Sequence, residues 1–311
     1  MDALVWSNGQ EDDILANKIS DKTTTVSDTS ARLKELANKT NGLRDARLIA
    51  FDKDGTLGDD QATIGKWARH MTDRMKAAVS PDTVEDCTTE FHSLLGWDAA
   101  NNHVLPSAPL AAGTWQEQVD STKKVLSKHG VDPDLANVWH KEMSALHSGD
   151  DPVIPNLREM LLECRDGFGL MVTVCTSDVR VSTDGALSRW QVRDVLEDVI
   201  CGDEVDTPKP SAVPLQTLLT NIRTRRTTKD TPDDDAVTEL TPSNCIVVGD
   251  TISDTGMARN AGALLCIGVL TGSGSAQQLY DTGADIVLPS VGHVPALLRE
   301  LQRLGEEIEA E

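Results

Sequence analysis

The sequence predicts an α/β fold in which a doubly wound parallel sheet carries an inserted α-helical bundle. Short apolar runs recur along the chain, each bounded by Gly, Asp, Thr or Ser. Helical patterns separate most of these runs, as expected when parallel strands alternate with crossover helices. One long interval, 61–149, has no convincing strand and contains four helical patterns instead.

Six apolar runs predict the strands of the sheet. They are short and rich in β-branched residues, which is typical of parallel strands buried on both faces. The predicted strands are Arg47–Phe51, Leu170–Cys175, Asp198–Gly202, Cys245–Gly249, Ala263–Val269 and Asp285–Leu288. The helices predicted around them are Asn156–Arg165, Ala186–Asp194, Ala212–Ile222, Ser253–Ala261 and Ser275–Thr282.

The interval 61–149 predicts a helical cap domain inserted after the first strand. Its helical patterns are Ala62–Val79, a helix after Pro81, Thr114–His129 and a helix that begins near Asp132. Apolar residues, Trp139 among them, recur at helical spacing, and we expect them to form the bundle core rather than a ligand site. The ranges 45–60 and 150–311 then form the catalytic core.

Two polar segments lie outside this pattern. Residues 1–44 are rich in Asp, Thr, Ser and Asn, so we expect a partly disordered extension with a short helix at Ser30–Asn38. The segment Thr224–Asn244 is charged and contains two prolines, which predicts a surface loop. The sequence assigns no role to either segment.

The charge balance excludes several classes of partner. The chain of 311 residues has 29 Lys and Arg against 50 Asp and Glu, a net charge of −21. This excess disfavours nucleic acid and anionic membranes, which require basic surfaces. Phosphorylated small molecules remain compatible, because a bound divalent cation can supply positive charge.

Three absences favour a cytoplasmic protein. The sequence has no apolar run of about 18 residues that could span a membrane. Its first residues, MDALVWSNGQEDD, have no basic and apolar signal pattern. The six cysteines are widely spaced without a CxxC pair, so we expect buried, reduced thiols. The oligomeric state, monomer or homodimer, is left open.

Polar side chains follow four predicted strands. Since ligand sites in this fold class lie beyond the carboxyl ends of the strands, we expect these side chains to converge. They belong to Asp52-Lys53-Asp54-Gly55-Thr56, Thr176-Ser177-Asp178, Lys209 and Asp250-Thr251-Ile252-Ser253-Asp254.

This set of side chains is suited to phosphoryl transfer. Asp52 and Asp250 could share a hard cation, and magnesium fits best because it favours oxygen ligands. Asp52 could then attack phosphorus and form an aspartyl-phosphate, while Asp54 protonates the leaving oxygen and later deprotonates water. Thr176 could donate a hydrogen bond to a phosphate oxygen, and Lys209 could neutralise charge on the phosphoryl group.

The same segments resemble the four motifs of the haloacid dehalogenase superfamily, in order and in spacing. They are FDKDGTL (Phe51–Leu57), VCTS (Val174–Ser177), the lysine of DTPKP (Asp206–Pro210) and VVGDTISDTGMARNAG (Val247–Gly262). The insertion point resembles that of the α-helical cap in the phosphoglycolate phosphatase and β-phosphoglucomutase branch, and the tail is similar to phosphoglycolate phosphatases. The resemblance implies a Rossmann-like core.

The resemblance also implies roles for individual residues. The implied catalytic residues are Asp52 as nucleophile, Asp54 as general acid and base, Thr176 and Lys209. The implied substrate-binding residues are Lys53, Gly55, Thr56, Thr176, Ser177 and Lys209. The implied ligands of Mg²⁺ are Asp52, Asp54 through its backbone carbonyl, Asp250 and Asp254, the last in a supporting position. Lys53 replaces the apolar residue commonest there; we expect its amide to face the phosphate and its side chain to be structural or directed to the surface.

We therefore expect a magnesium-dependent phosphatase that acts on a small phosphorylated metabolite, such as a phosphoglycolate-like compound or a sugar or nucleotide monophosphate. By the resemblance, the acid at Asp54 argues against a dehalogenase or a phosphonatase. Two alternatives remain open: a phosphosugar mutase of the β-phosphoglucomutase type, and a catalytically silent binding protein. The substrate itself is not identified by the sequence.

Overall fold

The computed structural model describes residues 26–100, 103–105, 108–112, 115–146, 151–227 and 240–310. The chain divides into two compact units. The first unit comprises Met1–Gly58 and Pro152–Glu311, and the second unit comprises Asp59–Asp151. The second unit is thus an insertion in the sequence of the first.

A six-stranded parallel sheet forms the centre of the first unit, as predicted. Its strands are β1 (Leu48–Phe51), β4 (Met171–Cys175), β5 (Asp198–Ile200), β6 (Cys245–Gly249), β7 (Leu265–Val269) and β8 (Ile286–Leu288). They are arranged in the order β5-β4-β1-β6-β7-β8, and every neighbouring pair is parallel. Both ends of each strand lie within two residues of the predicted bounds.

Helices cover both faces of this sheet. They are α1 (Val26–Lys39), α7 (Leu157–Leu162), α8 (Arg180–Arg189), α9 (Val213–Thr227), α10 (Ile252–Ala261), α11 (Ala276–Thr282) and α12 (Val294–Ala310). Alternate residues of β1 enter two separate buried clusters: Ile49 and Phe51 belong to one, and Leu48 and Ala50 to the other. Because successive side chains of a strand point to opposite faces, the doubly wound architecture is confirmed.

Helix α8 begins earlier than the predicted Ala186–Asp194 helix. The backbone N–H of Arg180 donates to Asp203 Oδ1 at 3.0 Å, so a residue from another loop satisfies the first turn. The helix ends before Gln191, which has a φ of 56°. A cap that comes from a distant part of the chain leaves no local sequence signal.

The second unit is mainly helical. Its elements are α2 (Asp60–Ala78), α3 (Val84–Leu95), α4 (Pro109–Ala112), α5 (Trp115–Lys128) and α6 (Leu135–Leu146), with β2 (Trp97–Asp98) and β3 (His103–Val104) between them. Its core contains Trp67, Phe91 and Trp139, so the prediction for Trp139 is confirmed. The expectation of no strand here is wrong, because β2 and β3 form a short antiparallel pair. That pair follows Gly96, whose φ of 77° ends α3.

Helix α1 makes part of the predicted extension an integral piece of the first unit. Leu33 and Leu36 enter the same buried cluster as Leu301 and Leu304 of α12. The backbone just after α1 also approaches the backbone of α12 closely: a Cβ built on Gly305 would lie 2.4 Å from Gly42 Cα. The apolar side of α1 is therefore docked, although its short length alone predicts only a marginal helix.

The cysteines, the membrane-span search and the polar segments bear on other expectations. All six cysteines are buried free thiols, as predicted. In the ranges given above, no helix has both the length and the apolar character needed to cross a membrane. The predicted loop Thr224–Asn244 begins inside α9, and its residues 228–239 lie outside the described residues, as do residues 1–25 of the predicted extension.

The docking of α1 can be tested with Leu36→Ala. We expect this variant to lower the free energy of unfolding by about 2–5 kcal/mol, because it leaves a cavity at a side chain that is 1% exposed. Urea unfolding followed by circular dichroism measures the change. Lys34→Ala, on the exposed side of the same helix, is the control. Equal stability of the two variants would show that α1 is not docked.

Candidate active site

The candidate active site lies at the carboxyl edge of three adjacent strands. Asp52 follows β1, Thr176 follows β4 and Asp250 follows β6, and β1 lies between the other two. The backbone N–H of Asp52 still donates to Val248 O at 2.8 Å, so the ladder with β6 fixes the position of Asp52. The strand order thus brings together residues that are far apart in the sequence, as predicted.

A buried lysine joins two of the aspartates. Lys209 Nζ lies 2.7 Å from Asp52 Oδ1 and 2.6 Å from Asp254 Oδ1. Burial by itself would lower the pKa of Lys209, but the carboxylates of Asp254 and Asp52 hold it well above its ordinary value. Lys209 therefore remains charged.

Three carboxylates form a compact group beside this lysine. Asp52, Asp250 and Asp254 each offer an oxygen, and these oxygens lie within 4.8 Å of one another. Burial raises the pKa of Asp52 to about 7; the charge of Lys209 opposes this shift and Asp254 adds to it. Burial, with repulsion from Asp254 and Asp52, raises the pKa of Asp250 well above its ordinary value.

The three-carboxylate group has the chemistry of a divalent-cation site. Its ligand atoms are all oxygens, which hard cations such as magnesium prefer. Lys209 pairs with two of the three carboxyl groups, so an excess of negative charge remains when all three are ionised. Burial, and repulsion from neighbouring carboxylates, raises the pKa values of Asp52 and Asp250. A divalent cation would relieve that excess, so the residues present fit such an ion.

Asp250 is held by neighbours that point directly at its two oxygens. Thr56 Oγ1 donates to Oδ1 at 2.9 Å, and the backbone N–H of Ser273 donates to Oδ2 at 3.1 Å. A Cβ added at Gly272 would lie 1.7 Å from Asp250 Oδ2, and one added at Gly55 would lie 2.6 Å from it. The loops after β1 and β7 can approach the carboxylate this closely because both positions are glycine.

Asp254 is fixed by the start of α10. Its Oδ2 accepts hydrogen bonds from Thr251 N at 3.0 Å and Thr251 Oγ1 at 2.7 Å. The Thr251 side chain in turn accepts from Asp254 N, which completes a capping box. The other oxygen of Asp254 is thereby aimed at Lys209.

The loop after β4 supplies hydroxyl groups. Thr176 is buried, and its Oγ1 accepts a hydrogen bond from Asp178 N at 3.1 Å, which leaves the hydroxyl proton available for donation. Ser177, the next residue, is exposed. A Cβ on Gly202 would lie 2.2 Å from Ser177 O, so this loop packs tightly on the end of β5.

The structure alters the interpretation of two predicted substrate-binding residues. Thr56 is fully buried, and its hydroxyl is committed to Asp250, so its contact in this structure is with a candidate metal ligand. The side chain of Lys53 was expected to be structural or surface-directed; it is 2% exposed and forms ion pairs with Asp54 and Asp178. Asp54 does not belong to the three-carboxylate group of Asp52, Asp250 and Asp254.

Sequence reasoning gave no role to three residues that support the site: Asp178, Thr251 and Ser273. Asp178 lies in the short polar segment after β4, and that position was a signal for it. The run Thr271–Ser275 after β7, with alternating Gly and Ser, was the signal for Ser273, because glycine at a strand end often marks a close backbone approach. The role of Thr251 follows from its place before a helix.

Several solved structures share this fold. A predicted phosphoglycolate phosphatase from Haemophilus somnus superposes with a TM-score of 0.57 at 13% identity, covering 82% of this chain and 99% of that one. A protein from Thermotoga maritima with the provisional name β-phosphoglucomutase gives 0.55 at 15% identity, with 82% and 99% covered. A hydrolase from Pseudomonas syringae gives 0.52 at 18%, with 82% and 98% covered. At such identities the similarity shows the fold.

Sequence comparison identifies the family. No match was found among curated protein sequences. The family model for haloacid dehalogenase-like hydrolases matches residues 46–262, a range that includes Asp52, Thr176, Lys209, Asp250 and Asp254. The segments that carry the resemblance in the sequence are therefore the ones that meet at the carboxyl edge of the sheet. The chain belongs to the haloacid dehalogenase-like hydrolase family.

Proposed function

We propose that this protein is a magnesium-dependent phosphatase that hydrolyses a small phosphorylated metabolite through an aspartyl-phosphate. The observation that supports the proposal best is the position of Lys209 Nζ, within 2.7 Å of both Asp52 and Asp254, which form a compact group of carboxylates with Asp250. A phosphoryl group that reaches Asp52 would meet an ammonium, a hydroxyl from Thr176 and a group suited to a cation. Phosphoryl transfer depends mainly on such positioning and charge stabilisation.

In the first step, an oxygen of Asp52 attacks phosphorus. The new O–P bond forms as the bond to the leaving oxygen breaks, and Asp54 gives its proton to that oxygen. In the second step, water attacks the phosphorus of the aspartyl-phosphate, Asp54 takes a proton from the water, and the carboxylate of Asp52 is restored. Lys209 and Thr176 hold the phosphoryl oxygens in both steps.

Asp52, Asp250, Asp254 and the backbone carbonyl of Asp54 are the groups proposed to hold magnesium. When bound, the ion would supply positive charge to the phosphoryl oxygens and to the three carboxylates. Thr56 and Ser273 would keep Asp250 in place for the ion, since each donates to one of its oxygens.

Asp52→Asn tests the proposed nucleophile. Phosphate release in the presence of magnesium is expected to fall by at least about a thousandfold, because an amide cannot form the phosphoenzyme. A panel of about one hundred phosphorylated metabolites, read by a colorimetric phosphate assay, supplies the substrates. Asp45→Asn, an exposed residue before β1, is the matched control and should keep full activity.

Unchanged phosphate release by Asp52→Asn would refute the proposed nucleophile. Absence of phosphate release by the wild-type protein from every compound would instead favour a silent binding protein. Conversion of a hexose 1-phosphate to its isomer without free phosphate would favour the mutase, which would use the same residues.

Asp250→Asn tests whether the three-carboxylate group carries an excess of negative charge. Because the raised pKa of Asp250 means that the folded state binds its proton more tightly than the unfolded chain does, stability falls as the pH rises above the ordinary pKa of 3.8. In a chelator at pH 8, Asp250→Asn should therefore melt roughly 2–4 °C above the wild type, the shift expected for about 1 kcal/mol. At pH 5 the difference should shrink, because the native carboxyl keeps its proton.

Differential scanning fluorimetry at both pH values measures these shifts. Magnesium should stabilise the wild type at pH 8 and stabilise Asp250→Asn less, since the variant lacks one ligand. Asp45→Asn should follow the wild type throughout. A variant that melts below the wild type in chelator at pH 8 would show that Asp250 is not under electrostatic strain.

A further inference from the structure

Lys53 is a buried lysine that the reaction described above does not use. Its side chain is 2% exposed and lies next to the proposed nucleophile in the sequence. A buried ammonium is costly unless carboxylates pair with it. Lys53 Nζ has two such partners, Asp54 Oδ1 and Asp178 Oδ2, the second at 3.1 Å.

The backbone of Lys53 is held in a tight turn. Its carbonyl oxygen accepts hydrogen bonds from Leu57 N and Gly58 N, both at 2.9 Å. Asp54, the next residue, forms a bridge to Gly58 within the same turn. The starting point of the lysine side chain is therefore fixed with respect to the loop that follows β1.

Asp178 is held just as firmly in the loop after β4. Its Oδ1 accepts from Val179 N at 2.7 Å, its backbone oxygen accepts from Gly202 N at 2.8 Å, and its backbone N–H donates to Thr176 Oγ1. The ion pair with Lys53 thus connects two loops of the site, and its Asp178 end cannot shift without disturbing Thr176.

Asp54 is the most exposed member of the trio. Its side chain is 35% exposed, whereas that of Asp178 is 26% exposed and that of Lys53 is 2% exposed. A charge-assisted hydrogen bond from a fixed ammonium favours one rotamer of the carboxylate that accepts it. Lys53 is placed to make this selection.

We propose that Lys53 is a positioning residue: anchored by Asp178, its ammonium holds the Asp54 carboxyl group where it can pass a proton to the leaving oxygen. This inference rests on the proposed phosphatase function. As the Asp52 oxygen bonds to phosphorus, the electron pair of the breaking P–O bond goes to the leaving oxygen, which takes the proton of Asp54. Because Asp178 shares the ammonium, Asp54 is not the only carboxyl group that pairs with Lys53.

Lys53→Met tests the inference, because methionine fills a similar volume without the charge. Two substrates are compared: 4-nitrophenyl phosphate, whose leaving group needs no proton, and an alkyl phosphate from the panel, whose leaving group does. Since kcat/KM reports the steps up to release of the leaving group, it isolates the proton transfer. We expect Lys53→Met to lower kcat/KM for the alkyl phosphate at least about tenfold more than for the aryl phosphate, which is part of the roughly 10²–10⁴-fold that general acid–base catalysis contributes.

The double variant Lys53→Met/Asp54→Asn makes the test specific. If Lys53 acts through Asp54, its removal should cost nothing further once Asp54→Asn is present. The matched control for loss of a lysine is Lys39→Met, at the end of α1, which breaks the ion pair of Lys39 with Asp285. This variant should leave both kcat/KM values unchanged. Asp178→Asn, which weakens the ion pair between Asp178 and Lys53, should also lower kcat/KM more for the alkyl phosphate than for the aryl phosphate, but to a smaller degree.

Equal losses on both substrates, or losses that add in the double variant, would overturn the inference and leave the proposed function intact. Failure of both Lys53→Met and Asp178→Asn to fold, judged by circular dichroism, would also overturn it, since the trio would then be a folding requirement. If wild-type protein releases phosphate from neither substrate nor from any panel member, the proposed function fails, and the inference fails with it.

Discussion

The first unit is organised around a surplus of buried negative charge at one edge of its sheet. Asp52, Asp250 and Asp254 lie within a few ångströms of one another, and Lys209 offsets part of their charge. Gathering carboxylates away from water is unfavourable, and the raised pKa values of Asp52 and Asp250 express that cost. The surrounding elements are built to maintain this arrangement: the ladder positions Asp52, the capping box positions Asp254, and two glycines allow the backbone to enclose Asp250.

Charge is balanced differently at the residue that follows Asp52 in the sequence. Around Lys53, two partly exposed carboxylates share one buried ammonium. Burial would raise the pKa of Asp178, but the charge of Lys53 and hydrogen bonds from Ser182 and Val179 outweigh burial and hold it below its ordinary range. The site therefore contains one cluster poised to accept a cation and another in which an internal cation is already paired. Groups with such opposed environments can take different parts in a reaction.

Much of this arrangement was predictable because it depends on strand order. Three of the polar segments begin directly after an apolar run, and Lys209 ends the longer segment that follows β5. Parallel strands deliver their carboxyl ends to one edge. The positions of Asp52, Thr176, Lys209, Asp250 and Asp254 followed from that rule. The start of α8 did not, since its cap comes from a residue remote in sequence.

The environments of Lys53 and Thr56 were not predictable either. Whether a side chain next to a motif faces water, the substrate or a neighbouring loop depends on tertiary contacts that no local pattern records. The docking of α1 was not predictable for the same reason. Its partners on α12 lie more than 250 residues away in the sequence, so the short amphipathic helix was interpreted as part of an extension.

The insertion of the second unit has a consequence for how such proteins diversify. Its two ends meet: Asp59 N donates to Asp151 O at 2.9 Å, and directly beside them Val153 N donates to Leu57 O at 2.8 Å. An inserted segment whose ends are adjacent can be lengthened, shortened or exchanged without moving the strands of its host. The second unit is such an inserted segment. A change in its length or sequence need not alter the backbone path of the strands that carry the aspartates.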